Sequence, residues 1–255
     1  MRLTFHKLPG DPALGVAFFW RLALTARRPL AVSDLFIPEL FYDYFQVQRG
    51  QLEIAGRPLP APAVLKTLHT RALRLTLRGP LVIYGARCSL AFAERFWGPG
   101  LPANTLLPQP WAAPRVRDLP TFAAQVTAYL RARQAPKAPY PLLTPALAET
   151  SWLRAYSPRQ KRRWYLRVFG LSRRALDRLA AVQAFLAQAC QFDAAAPRLL
   201  HHLDPEVFYD QAHLNHAFKR VTGLAPREYF QAGSLLQDNL MAASYNAPAA
   251  ASPTL

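Results

Sequence analysis

The sequence predicts an α+β fold, a β-rich N-terminal domain followed by an all-α domain, and three observations point there. From about Leu14 to Leu90 the apolar residues come in short runs rich in aromatic and branched side chains, punctuated by Pro and Gly, the pattern of strands and turns. Beyond Pro145 the apolar spacing becomes helical as far as about Gln231. Between them Gln134 to Pro145 carries Pro136, Pro139, Pro141 and Pro145, which suits a semi-rigid linker.

Within the first part, Val16-Ala17-Phe18-Phe19-Trp20, Phe41 to Phe45, Leu73 to Leu77 and Leu81 to Tyr84 read as strands. Arg49-Gly50 is placed as a hairpin turn between Phe45-Gln46-Val47 and Leu52-Glu53-Ile54. Alternation from Ala72 to Leu77 predicts one buried face, with Arg74 and Arg78 on the other. Ser89 is expected to cap a short helix from Leu90 to Phe96, and a second helix is expected from Thr121 to Arg133.

The composition narrows the function. At 255 residues, 51% hydrophobic and 18% charged, the chain can bury a sizeable core and is no disordered basic tail. Its 31 Lys+Arg against 15 Asp+Glu, a charge of +16, predict a polyanionic partner, nucleic acid or an anionic membrane surface. Cys88 and Cys190 alone make no disulfide framework and fit a reducing compartment. The longest apolar run, Leu14 to Leu24, is broken by Arg21 and too short to span a bilayer, and the N-terminus lacks a secretory pattern. A soluble, cytoplasmic protein with no membrane association is expected.

An internal repeat is the most informative feature. A shift of 53 residues aligns Ser157 with Asp210, Tyr165 with Phe218, Arg167 with Arg220, Gly170 with Gly223 and Leu171 with Leu224. Each unit reads as a helix of about a dozen residues: a side-chain cap at Ser157 or Asp210, Pro158 at the first helical position, and a terminating glycine. Ser172 caps the following helix and Pro226 starts the one after Gly223. Between the units Ala175, Leu176, Leu179, Val182, Phe185, Leu186 and Ala189 form an apolar stripe, so one long amphipathic helix joins the two.

The first unit is strongly basic. Arg154, Arg159, Lys161, Arg162, Arg163, Arg167, Arg173, Arg174 and Arg178 share a window in which Asp177 is the only acid, as in a helix that enters a major groove. The second offers Gln211, His213, Asn215 and His216, side chains able to read base edges. Trp164, Tyr165, Leu214 and Phe218 are assigned to the core.

The segment from Ser157 to Phe230 resembles the DNA-binding domain of AraC/XylS-type transcription regulators. The matching residues are Tyr209-Asp210-Gln211-Ala212-His213-Leu214, Phe218-Lys219-Arg220, Thr222-Gly223-Leu224 and Pro226, with Ser157-Pro158-Arg159-Gln160, Arg163 and Gly170-Leu171-Ser172 similar to the first-unit signature. The match departs from the usual pattern at Lys161, Asp204-Pro205, Val207 and His216. Phe19-Trp20, Ile37-Pro38 and Tyr84-Gly85-Ala86-Arg87-Cys88 are more weakly similar to the β-rich domain preceding it in one branch of that family. The resemblance implies two helix-turn-helix units joined by a long helix after a cupin-like or small-barrel domain. The divisions are 1–134, a linker at 135–143, the helical domain at 144–232, and a disordered tail at 233–255.

It also implies sequence-specific binding of double-stranded DNA, with recognition helices at about 158–169 and 211–222 in successive major-groove segments. The candidate contacts are Arg159, Gln160, Arg162, Arg163, Arg167, Arg173, Arg174, Gln211, His213, Asn215, His216, Lys219 and Arg220. Arg173 and Arg174, at a helix start, are assigned to phosphates, while His213 is open between contact and internal packing. An unknown small-molecule effector, RNA polymerase and a second copy of the chain are further candidate partners.

Two alternatives stay open: nonspecific binding of nucleic acid, RNA included, and a ligand-binding β domain with a degenerate helix-turn-helix appendage. The first 140 residues carry 18 basic and 7 acidic residues, so Arg71, Arg74, Arg78 and Arg87 are assigned either to an extended DNA footprint or to an anionic effector. His201, His202, His213 and His216 lack the paired, cysteine-rich spacing of structural zinc. No glycine-rich phosphate loop or nucleophile elbow appears. No enzyme activity, cofactor or metal is expected.

Overall fold

The structure, a computed structural model, describes residues 2–26, 30–90, 92, 100–114, 116–133, 154–192 and 208–241. Its fold is α+β: an antiparallel eight-stranded sheet within residues 2–108, then a helical C-terminal region. The strands are β1 (Arg2–Pro9), β2 (Val16–Thr25), β3 (Leu30–Phe36), β4 (Tyr42–Ile54), β5 (Arg57–Pro58), β6 (Ala63–Lys66), β7 (Leu73–Cys88) and β8 (Leu106–Pro108). The helices are α1 (Leu119–Ala132), α2 (Pro158–Phe169), α3 (Arg173–Phe192), α4 (Gln211–Thr222), α5 (Pro226–Ala232) and α6 (Leu235–Met241). None of the described helices is long and apolar enough to cross a membrane. The proposed linker lies outside the described residues, as does the end of the helix expected from Leu90 to Phe96. Leu90 and Phe92 are helical, and the Ser89 hydroxyl donates to Gly15 O at 3.1 Å.

The sheet runs β1-β2-β7-β4-β6-β8, with β3 on β7 and β5 on β4. Long β7 organises it, pairing with β3 through residues 73–79 and with β2 through residues 81–88. Arg49-Gly50 is not a hairpin turn. The strand β4 continues through it, shifting register against β7 on either side of Arg49, and Gly50 takes φ +83° where a Cβ would lie 2.4 Å from Pro80 O. A bulge with a left-handed glycine bends a strand without ending it. The reversal comes at Ala55-Gly56, φ 52° and 73°, the pair of positive values a two-residue hairpin loop requires. Alternation held on β7, where Leu75 and Leu77 are buried and Arg74 and Arg78 exposed.

One face of the sheet closes on itself. Trp20 and Leu22 of β2 meet Phe36 of β3, Phe45 and Leu52 of β4 and Leu75 of β7 around a void of only about 10 Å³. Packing this dense leaves no room for change: a Cβ on Gly85 would sit 2.1 Å from the Trp20 ring opposite it. At one end of this face lies a buried charge cluster. The Arg87 guanidinium donates to Glu39 at 2.5 Å and to Asp43 at 2.8 and 3.3 Å, and Lys66 Nζ donates to Asp43 at 3.1 Å. All four side chains are at most 3% exposed. Burial opposes the Asp43 charge, but Arg87 and Lys66 outweigh it and hold the carboxyl below its usual range.

His69 lies beside this cluster, buried, its Nδ1 2.8 Å from Thr67 O. Burial, and then the Lys66 charge, push its pKa down to about 4. The unfolded chain therefore takes up a proton below pH 6.5 that the folded chain refuses until about pH 4. Stability must fall as pH drops through that window, by up to about 3 kcal/mol. Urea unfolding of His69→Gln at pH 7, 5.5 and 4 is expected to show a flatter fall than the unaltered chain. Parallel curves would contradict the burial argument.

The helical region is joined to the sheet by specific bonds. The stretch 233–255, expected as a disordered tail, instead contains α6. Leu236 and Leu240, both at most 4% exposed, join the core of the closed face. Leu236 N donates to Asp34 Oδ2 at 2.8 Å, Ile37 N to Gln237 Oε1 at 3.3 Å, and Ser234 Oγ to Leu35 O at 3.0 Å. Lys7 Nζ donates to Leu240 O at 2.9 Å, satisfying a carbonyl in the last turn of α6.

Candidate nucleic-acid interface

The two repeat helices form as their end signals dictate. At α2 the Ser157 hydroxyl accepts from Gln160 N at 3.3 Å, and Ser157 N donates to Gln160 Oε1 at 2.8 Å, a reciprocal cap. At α4 Asp210 Oδ1 accepts from His213 N at 2.7 Å. Gly170 and Gly223 end the helices at φ 68° and 83°, the left-handed conformation that favours glycine. Ser172 Oγ accepts from Ala175 N at 3.3 Å at the start of α3, and Pro226 opens α5.

Both helices are amphipathic. Trp164, Tyr165, Val168 and Phe169 bury one side of α2, and Leu214, Ala217, Phe218 and Val221 one side of α4. The α3 stripe from Leu176 to Ala189 lies in the same core, with Phe185 edge-on to Phe218 at 5.7 Å. On the other side of α2, Arg159, Gln160, Arg162, Arg163 and Arg167 are exposed, and none of these arginines pairs with a carboxylate among the described residues. On α4 Gln211, His213, His216, Lys219 and Arg220 are exposed, and Asn215 is half-buried.

The helices share an orientation toward the sheet. The C-terminus of α2 abuts the loop before β8, where a Cβ on Gly170 would meet Ala103 N at 2.6 Å. The C-terminus of α4 accepts a bond from the residue just before β7, Ala72 N to Val221 O at 2.7 Å. The first turns, with Arg159, Arg162 and Arg163 on α2 and Gln211 on α4, therefore lie up to roughly 16 Å along each axis from those contacts. Helices that read DNA present their N-terminal residues to the bases.

Several candidates have work inside the protein. Gln160 commits its carbonyl oxygen to the cap, which leaves its NH₂ as a donor. His213 Nδ1 accepts from Tyr209 N at 3.4 Å and its ring stands 5.7 Å from Phe208, so Nε2 alone remains for another partner. Arg173 is half-buried, bound to Asp177 at 2.6 Å and to the Tyr165 hydroxyl at 2.8 Å. Burial opposes its charge, yet those two bonds outweigh it and raise its pKa. Arg174 is exposed.

Other residues fit the surface though absent from the candidate set. Arg178 is half-buried, and burial, then the charges of Arg220 and Arg174, lower its pKa. Three guanidiniums thus crowd where α3 meets α4, an arrangement a phosphate would relieve. Tyr209 is 91% exposed and Leu166 44%, beside the α4 cap and among the α2 arginines. Arg178 belongs to the basic window of the first unit, but its place beside Arg220 follows from the packing of α3 on α4 and not from spacing.

The N-terminal arginines do not act as one patch. Arg87 is buried in its ion pairs and cannot reach DNA or an external anion, a correction to the assignment above. Arg78 pairs with Glu53 at 2.7 Å, whereas Arg71 and Arg74 are exposed. His201, His202, Asp204-Pro205 and Val207 lie outside the described residues. No protein-family model, curated protein or solved structure matches the chain.

Proposed function

We propose that this chain is a sequence-specific, double-stranded DNA-binding transcription regulator of the AraC/XylS type. The observation that carries the reading is the repeated capped helix. Both α2 and α4 start from a side-chain cap, end at a left-handed glycine, bury one apolar side, and turn an exposed cationic or hydrogen-bonding side away. A merely solvated helix face carries both signs of charge; α2 has no acid at all. Arginines on α2 and Arg174 would supply phosphate contacts and most of the affinity, and Gln211, Asn215 and His216 would discriminate bases. The β domain would sense an effector or mediate self-association, and RNA polymerase would be the contact through which regulation acts.

In vitro selection of duplex DNA by the full chain tests this, with affinity for the winner and for a scramble measured at 50 and 200 mM salt. A winner bound at least a hundredfold more tightly, with a steep salt slope, is the expected result. Equal, salt-sensitive affinity for both would make the chain a nonspecific nucleic-acid binder. No binding would leave the β domain as its working part.

A further inference from the structure

Away from the repeat helices a cavity of about 280 Å³ lies between α1 and the open face of the sheet. Its volume is at the small end for ligand sites, suited to a molecule of one or two rings. Three rings form one wall. Trp111 stacks on Tyr129 at 4.2 Å and 11°, and Tyr44 follows 6.2 Å from Trp111, tilted by 31°. Leu65 and Val126 supply aliphatic wall. Such surfaces hold water poorly and favour a flat, polarizable ring.

The polar groups specify the rest. Arg133 lies at the cavity, exposed, with its guanidinium 5.1 Å over the Tyr129 ring and 2.5 Å from that residue's hydroxyl. No carboxylate of the described residues pairs with it, and no acidic residue among the described ones lines the cavity. A cationic guest would find the aromatic wall but meet the Arg133 charge, whereas an anion would be drawn by that charge and by the +16 of the chain. Gln109 adds an amide to the lining. Cys88 lines it too, but burial pushes its thiol well up, so it stays neutral and is wall rather than nucleophile.

We infer that this cavity binds a small planar aromatic molecule bearing one acidic group, its ring against the Tyr44–Trp111–Tyr129 wall and its acid on Arg133. The site stands apart from the DNA-binding reading: ligand uptake is read directly and does not depend on whether DNA is bound.

Calorimetric titration of the full chain with 1-naphthoate, 1-naphthamide and cyclohexanecarboxylate tests it. The expected result is 1:1 binding of 1-naphthoate at about 10–100 µM, with both other compounds at least tenfold weaker. Arg133→Gln is expected to erase the preference for the acid over the amide, and Val126→Trp, which fills the cavity, to abolish binding. If Val126→Trp does not fold by circular dichroism, Val126→Phe replaces it. The inference is overturned if 1-naphthoate does not bind, if it binds the filled variant as well as the unaltered chain, or if the amide or the cyclohexane acid binds equally well.

Discussion

Replacing Arg87 with Met is expected to lower folding stability by about 3–5 kcal/mol, a large share of the 5–15 kcal/mol typical of a folded domain. Removing the guanidinium takes a partner from Asp43 and Glu39, which are at most 3% exposed. Among the described residues only Lys66 then remains paired with Asp43. With the guanidinium gone, the burial that opposes the Asp43 charge is offset only in part, which pushes that carboxyl's folded pKa up and lets it take up a proton. The variant should therefore lose less stability than the unaltered chain as pH falls toward 4, because proton uptake by the carboxyl opposes the His69 loss that both share. Replacing Arg87, Asp43 and Glu39 together with apolar residues of similar volume is expected to recover much of the loss, because the desolvation penalty goes with the charges. Urea unfolding at pH 7.5 and 5 checks both. A loss under about 1 kcal/mol, with the same pH dependence as the unaltered chain, would mean the charges are hydrated.

The second large effect concerns binding. Arg159→Gln, Arg162→Gln and Arg163→Gln combined should weaken the selected duplex by about a hundredfold or more, and reduce the salt slope by up to about 2.7 if all three meet phosphates. All three are exposed and outside the core, so the melting temperature should hardly move. Gln211→Ala should behave differently, shifting preference at one base position and leaving the slope alone. Fluorescence anisotropy across a salt series separates the two. An unchanged slope in the triple variant would remove α2 from the interface.

What the sequence revealed and what it hid divide along local and nonlocal lines. Ser157, Asp210, Gly170 and Gly223 act within one helical turn, so spacing alone located both repeat helices and their ends. Burial of Leu75 and Leu77 likewise follows from period two. Arg87 was misplaced because its partners are 44 and 48 residues away, and only strand pairing brings them together. Arg49-Gly50 looked like a turn because a left-handed glycine serves a bulge as well as a hairpin. In α6 the i, i+4 pair of Leu236 and Leu240 was visible, but seven residues are too short a signal without the sheet that receives them. The aromatic cavity draws on residues from Tyr44 to Arg133, a set that no periodicity links.

The docking of α6 also sets a clock. Lys7 and the Leu240 carbonyl it binds are 233 residues apart, and ribosomes add roughly 5–20 residues per second. The last of the receiving strands, β7, ends at Cys88, about 150 residues before Leu240, so for roughly 8–30 seconds those strands exist without Leu236 and Leu240, a greasy opening beside a cluster of buried charge. During that interval the nascent chain offers a target to chaperones and to other nascent chains. Burial of that opening thus waits on the arrival of a single short helix, whatever the strands have done before it.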